Sequence, residues 1–203
     1  MNVLVAYESS GTVRQAFLNR GHNAWSCDLQ PADDCSLKHI RMDARKVMEH
    51  RKVWAYHWDL IIMHPPCTAL CVSGNAHYGT GKPKHRQRLE AIDYTLEMFE
   101  LAKSVARFVC MENPVGVLPI KANQYVQPYE YGHPESKKTG LWLHNLPRLK
   151  PTDEIAKPVC GYWANQTPSG QNKLGPSEDR WKIRSKTYPG IADAMAQQWS
   201  RLT

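Results

Sequence analysis

Short apolar runs, each stopped by polar or turn-forming residues, set the rhythm of the chain. Val3 to Ala6 is uniformly apolar and runs into the turn Ser9-Ser10-Gly11. From Thr12 to Asn19 the apolar positions Val13, Ala16 and Phe17 fall on one side of a helix, which Gly21 ends. Asn23 to Cys27 reads as a second strand closed by Asp28, so the N-terminal region spells a βαβ unit. Asp59 to Met63 is a buried strand halted by Pro65-Pro66. Leu89 to Ala106 carries Leu89, Ile92, Leu96, Phe99 and Leu101 near the helical period, and Arg107 to Met111 is a further buried strand stopped by Glu112-Asn113-Pro114. Pro189-Gly190 opens a final helix over Ile191 to Trp199.

Fully apolar strands alternating with helices predict an α/β fold with a mostly parallel sheet. The stretch 112–185 breaks the rhythm. It is rich in Pro, Gly, Tyr, Trp, Lys and Asn, and reads as loops with short strands covering one end of the sheet. The chain length of 203 residues fits one domain, with 115–180 as a loop-rich insertion.

Parallel α/β sheets bind ligands beyond the carboxyl ends of their strands. The residues to read are therefore those leaving each strand: Glu8, Asp28, Asp43, Cys67, Glu112 and Asn113. The turn Tyr7-Glu8-Ser9-Ser10-Gly11 allows close approach of a ligand to backbone amides, and Asp28 can accept from both hydroxyls of a ribose. Arg41-Met42-Asp43 can meet an adenine amino group. The competing reading makes Glu8 and Asp28 helix caps or turn residues. Neither a dinucleotide fingerprint nor a phosphate loop fits, because the required glycines and loop lysine are missing.

His64-Pro65-Pro66-Cys67 sets a cysteine on a stiff exit from the sheet, where His64 or nearby Lys/Arg can favour the thiolate. The alternative is a small buried hydrophobe. Cys71 lies four positions on, and this CxxxC spacing, wider than the CxxC of zinc deaminases, predicts no metal site. Glu112 can hydrogen-bond to, or protonate, a ring nitrogen of a bound base, although Asn113-Pro114 is also a common turn pair.

In this order the motifs resemble the DNA (cytosine-5) methyltransferases, in particular small phage-type members. The resemblance implies a Rossmann-like S-adenosylmethionine-dependent methyltransferase fold over 1–203. Pro66-Cys67 then supplies the nucleophile for cytosine C6. Glu112, in a Glu-Asn-Pro version of the family's Glu-Asn-Val, contacts N3 and the amino group. It also implies S-adenosylmethionine as cofactor, Asp28 on its ribose, Asp43 on its adenine, and Tyr7, Glu8, Ser9, Gly11 and Pro65 around it. Arg184 or Arg180 stands nearest the family's arginine for the cytosine carbonyl, with Arg184 taken as catalytic and Arg180 as a nucleic-acid contact. Arg184 to Ala192 is similar to the family's late segments, where a C-terminal helix closes the cofactor site. Two departures stand out. The first turn lacks Phe-x-Gly-x-Gly, and about 70 residues separate Asn113 from Arg184, leaving a reduced or absent target-recognition domain for which 115–180 stands in.

Charge adds a partner. Lys and Arg total 26 against 19 Asp and Glu, and the net +7 favours a polyanion. Lys82, Lys84, Arg86 and Arg88 form a basic run that predicts phosphate contacts on double-stranded DNA, against the plainer reading of a solvated helix start. Met1-Asn2 leads straight into a strand, and no apolar run approaches the ~20 residues of a membrane span. The expectation is a cytoplasmic protein of a bacterium or phage-infected cell, with reduced thiols and no membrane partner. A homodimer could supply part of the recognition surface. The same chemistry on RNA or a free nucleotide, or a non-catalytic nucleic-acid-binding module, are the competing functions.

Overall fold

The computed structural model describes residues 1–49, 57–175, 177 and 180–202. Its elements run β1 (Asn2–Ala6), α1 (Thr12–Leu18), β2 (Asn23–Asp28), β3 (His39–Arg41), α2 (Ala44–Glu49), β4 (Trp58–Met63), α3 (Asn75–Tyr78), α4 (His85–Val105), β5 (Ala106–Pro114), β6 (Gln124–Val126), β7 (Thr139–His144), α5 (Arg180–Ser185) and α6 (Pro189–Trp199). The strands form one sheet in the order β3-β2-β1-β4-β5-β7-β6. Pairs from β3 through β5 are parallel, and β7 runs antiparallel to both β5 and β6. The fold is thus the expected Rossmann-like α/β architecture with a mostly parallel sheet.

Alternation along each central strand splits the core into two layers. Val3, Val5, Leu60, Ile62, Phe108 and Cys110 face α1 and α6, where Phe17, Met195 and Trp199 fill the layer. Leu4, Ala6, Ile61, Met63, Val109 and Met111 face the opposite way, toward Met48 on α2 and Met98 and Ala102 on α4. With both faces covered, β1 and β4 have no polar face, which is why they read as unbroken apolar runs.

Two sequence readings change. β5 does not stop at Met111. Glu112, Asn113 and Pro114 continue it, paired with Leu141, Gly140 and Thr139 of β7. Pro114 is tolerated there because pairing with β4 ends at Met111, so this end of β5 has a strand neighbour on one side only and behaves as an edge. In α4 the inward face is Arg88, Thr95, Met98, Phe99, Ala102 and Val105, while Leu89 is 49% exposed. The chain between β5 and α5 does finish the sheet, through β6 and β7. Past β7, the described residues 145–175 hold only isolated bridges, Tyr131 with Asp153 and Gln166 with Asn172. Among the described residues no helix is long and apolar enough to cross a membrane.

Candidate active site

The sheet order sets β1, β4 and β5 side by side, so their exits converge. The β4 exit is tied to β1 by the His64 amide, which donates to the Ala6 carbonyl at 3.0 Å. It is tied to β5 by Asn113, whose Nδ2 donates to the Pro65 carbonyl at 3.0 Å. Beyond Pro66 the chain turns sharply, and Leu70 and Cys71 donate back to the Cys67 carbonyl. The segment after β5 then crosses this turn. Val72 donates to Val115, Val117 donates to Leu70, and Cys71 bridges Gly116. A Cβ on Gly116 would lie 2.2 Å from the Leu70 carbonyl oxygen, so only glycine permits the crossing.

Arg88 completes this scaffold. It is 5% exposed, and its guanidinium donates to the carbonyls of Ala69 and Cys71 and to Asn75 Oδ1. The structure therefore places Arg88 under the nucleophile turn as a staple, away from solvent, and withdraws it from the expected phosphate contacts. Lys82, Lys84 and Arg86 are exposed, with Arg86 paired to Glu90 one turn along α4.

Glu112 and Cys67 are brought together at adjacent strand exits. Glu112 Oε2 lies 3.0 Å from His64 Nδ1, and its side chain is 13% exposed. Burial pushes the Glu112 carboxyl up. The hydrogen bonds from His64 and Thr139 and the charges of His64 and Lys137 outweigh that and hold it below its ordinary value. Lys137 and Thr139 were not singled out in the sequence, and an intervening loop separates them from every motif. Together with Tyr188 and Ile191 they line a small pocket on Glu112, so the start of α6 closes over it. Burial, and then Cys71 and Glu112, raise the Cys67 thiol above its ordinary value, while Lys137 works against them. The histidine expected to favour the thiolate is instead spent on Glu112.

At the other strand exits the picture is mixed. Glu8 is 5% exposed and accepts from the amides of Val13 and Arg14 at 2.7 and 3.2 Å, capping α1. The cap reading thus describes Glu8, whose carboxylate points into the helix start. Gly11 supplies the left-handed backbone (φ +71°) that this turn needs, and Arg14 is fully buried beneath it, bonded to Ser26 and Asp34. Tyr7 hydrogen-bonds through its hydroxyl to Tyr94, and the Ser9 carbonyl accepts from Asp33. Asp28 uses Oδ1 on the Gln30 amide, and Asp43 uses Oδ1 to cap α2 through Arg45 and Lys46. Among the described residues no hydrogen bond engages the second oxygen of either, so two carboxylate acceptors at neighbouring strand ends suit the hydroxyls of a ribose and the amino group of an adenine.

Arg184 is exposed on α5, and among the described residues no hydrogen bond or ion pair joins it to Cys67 or Glu112. Arg180 donates to the Gly175 carbonyl. Helix α5 is anchored by Lys182, with Lys186 just beyond it, both of which pair with Asp33 in the loop after β2. Among the described residues no group of three His, Cys, Asp or Glu is placed to hold a metal. Cys71 Sγ lies against Ser73 Oγ at 3.0 Å. A His-x-Glu segment, His133-Pro134-Glu135, of the kind zinc deaminases use, is tied instead to the C-terminal region through the Gly190 amide and the Tyr188 hydroxyl.

No family model and no curated protein matches the chain. Solved structures similar to it include a protein described as a DNA modification methyltransferase encoded within an E. coli prophage (14% identity, 70% of this chain and 46% of that one, TM-score 0.49). Others are the S. pombe Dnmt2 methyltransferase (16%, 73% and 51%, TM-score 0.48) and an S-adenosylmethionine-dependent methyltransferase from Neisseria gonorrhoeae (12%, 70% and 60%, TM-score 0.39). The chain spans about half the length of the first two.

Proposed function

We propose that the protein methylates C5 of cytosine in DNA, using S-adenosylmethionine. The observation that carries this reading is the pairing of Cys67 and Glu112 on adjacent strand exits, held in register by the Asn113–Pro65 bond and the Gly116 crossing. Attack of Cys67 Sγ on C6 makes C5 nucleophilic. Glu112 bonds the far edge of the base, where charge develops on N3. The target base must leave the duplex for its C6 to meet a side chain at the sheet's strand exits. S-adenosylmethionine, when bound, supplies an electrophilic methyl group. Asp28 and Asp43 would hold its ribose and adenine through their second oxygens, and α5, clamped on Asp33 in the loop after β2, lies at the same end of the sheet.

The test is incubation with labelled cofactor and cytosine-containing duplex DNA, RNA and free nucleotides, followed by nucleoside analysis. Label is expected in 5-methylcytosine from duplex DNA. Label in RNA or nucleotide alone would move the substrate, and no label in any pyrimidine would end the reading. By calorimetry, Asp28→Ala is expected to weaken cofactor binding roughly tenfold or more, as loss of about 1.5–3 kcal/mol from charge-assisted hydrogen bonds implies. Unchanged calorimetric affinity would remove Asp28 from the site.

DNA affinity is expected to fall steeply with salt. Each phosphate contact contributes about −0.9 to the slope of log affinity against log salt. Replacing the exposed Lys82, Lys84 and Arg86 with Ala should flatten the slope by roughly two to three units if all three reach phosphates. A wild-type slope in the triple variant would mean that these cations face only water.

A further inference from the structure

His64 is the one residue of the nucleophile motif whose position the cysteine chemistry does not explain. It leaves the middle strand of the trio β1-β4-β5, and on either side a carboxylate leaves the neighbouring strand: Glu8 after β1, Glu112 on β5. Its side chain is 9% exposed. Nδ1 faces Glu112 Oε2 at 3.0 Å, and Nε2 is buried without a hydrogen-bond partner among the described residues. A buried ring nitrogen left unpaired is destabilising, so its retention at a strand exit beside two carboxylates points to a role.

We propose that His64 is the proton donor behind Glu112, holding a proton at Nδ1 that passes through the Glu112 carboxyl to N3 of the attacked pyrimidine. The inference rests on the cytosine reading above and adds a step to it. As Cys67 Sγ bonds to C6, its own proton having gone to solvent, the Nδ1–H bond of His64 breaks and an O–H bond forms on Glu112. That O–H bond then breaks as N3–H forms. Once C5 carries the methyl group, its proton passes to solvent water, the C6–S electron pair returns to Cys67 Sγ as thiolate, and N3 gives its proton back through the Glu112 carboxyl to His64 Nδ1, which restores the ring. His64 touches Glu112 rather than substrate, so it is a positioning and relay residue.

The surroundings suit this role. Among the described residues the charged and titratable groups around the pair are Glu8 from the β1 exit, Arg14 behind Glu8 on α1, Lys137 from the segment before β7, Cys67 on the same turn, Cys110 on β5 and Tyr188 at the start of α6. Burial raises the Glu8 carboxyl, and the charge of His64 is the foremost influence opposing that. Glu112 is held low mainly by His64, once its burial is overcome, so in the free protein it lacks the proton that N3 requires. A donor behind it is therefore needed, and His64 is in hydrogen-bond contact.

His64→Asn keeps an N–H donor near the Nδ1 position and removes the ability to release a proton. With duplex DNA containing 5-fluorocytosine and bound cofactor, covalent adduct formation should slow about 100-fold or more in this variant, the lower end of general acid–base contributions. Cofactor affinity should stay at the wild-type value, and the pH dependence of the adduct rate should lose a limb. In the free protein, carbon NMR of the Glu112 carboxyl should show its midpoint moving to higher pH. Independently of any variant, the wild-type adduct rate should fall in heavy water. A His64→Asn rate within threefold of wild type with an unchanged pH profile overturns the relay, as does a wild-type rate equal in both waters. If the wild type forms no adduct with any pyrimidine nucleic acid, the cytosine reading itself fails and takes the relay with it.

Discussion

Cys67→Ser is expected to form no covalent adduct with duplex DNA carrying 5-fluorocytosine, while the wild type accumulates it. Fluorine at C5 cannot leave as a proton, so an attacked base stays bonded to the sulfur and becomes visible as a band that survives denaturation. Turnover on ordinary cytosine should fall at least a thousandfold, because an alcohol is a far weaker nucleophile than a thiolate. The geometry makes the variant a clean one. Cys67 is only partly buried, and its backbone carbonyl, not its side chain, holds the turn through Leu70 and Cys71. Stability, cofactor affinity and DNA affinity should therefore match the wild type. In the wild type the adduct rate should rise with pH, since burial and the Glu112 charge favour the thiol. An adduct of equal yield in Cys67→Ser would show that another residue attacks. Loss of DNA binding along with the adduct would point to a structural role for the sulfur.

The central sheet was legible because burial on both faces writes itself as uninterrupted apolar runs, in β1, β4 and most of β5. The site was legible for a related reason: such runs end abruptly, and the residues just beyond them, Pro-Pro-Cys and Glu-Asn-Pro, must sit where ligands bind. β3 and α2 were missed because they are short, with Ile40, Val47 and Met48 as their main buried apolar side chains. Arg88 was read with its basic neighbours, since composition does not reveal orientation. The helical phase does: Arg88, Thr95 and Ala102 are seven apart and share one face. Glu8 was ambiguous because an acid after a strand serves a helix start as readily as a ligand. The pairings His64–Glu112 and Thr139–Glu112 depend on strand order, and β7 enters between β5 and β6 by a connection that local patterning does not encode.

Gly116→Ala is expected to slow the reaction about a hundredfold while barely changing stability. The added Cβ would lie 2.2 Å from the Leu70 carbonyl oxygen and 3.5 Å from Cys71 Cα, and the first of these contacts is impossible without movement. Both neighbours are backbone, so no side-chain rotation relieves the clash, and the two segments must separate by roughly 1 Å to reach ordinary contact. The segment that gives way is the Leu70–Val72 turn, which carries Cys67 three residues earlier; Leu70 is buried, but Val72 at its far end is exposed and free to shift. A misplacement of about 1 Å between reacting groups is enough to cost on the order of 10²-fold in rate. Because β4, β5 and the core layers are untouched, the thermal midpoint should move by only a few degrees, consistent with a loss of about 1 kcal/mol or less. The comparison is Gly175→Ala, where an added Cβ meets nothing within 4 Å and the rate should be unchanged. Single-turnover adduct formation and thermal unfolding measured on both variants decide the matter. A Gly116→Ala protein that reacts at the wild-type rate would mean that the crossing does not position the nucleophile, and a gross loss of stability would mean that it holds the fold rather than the site.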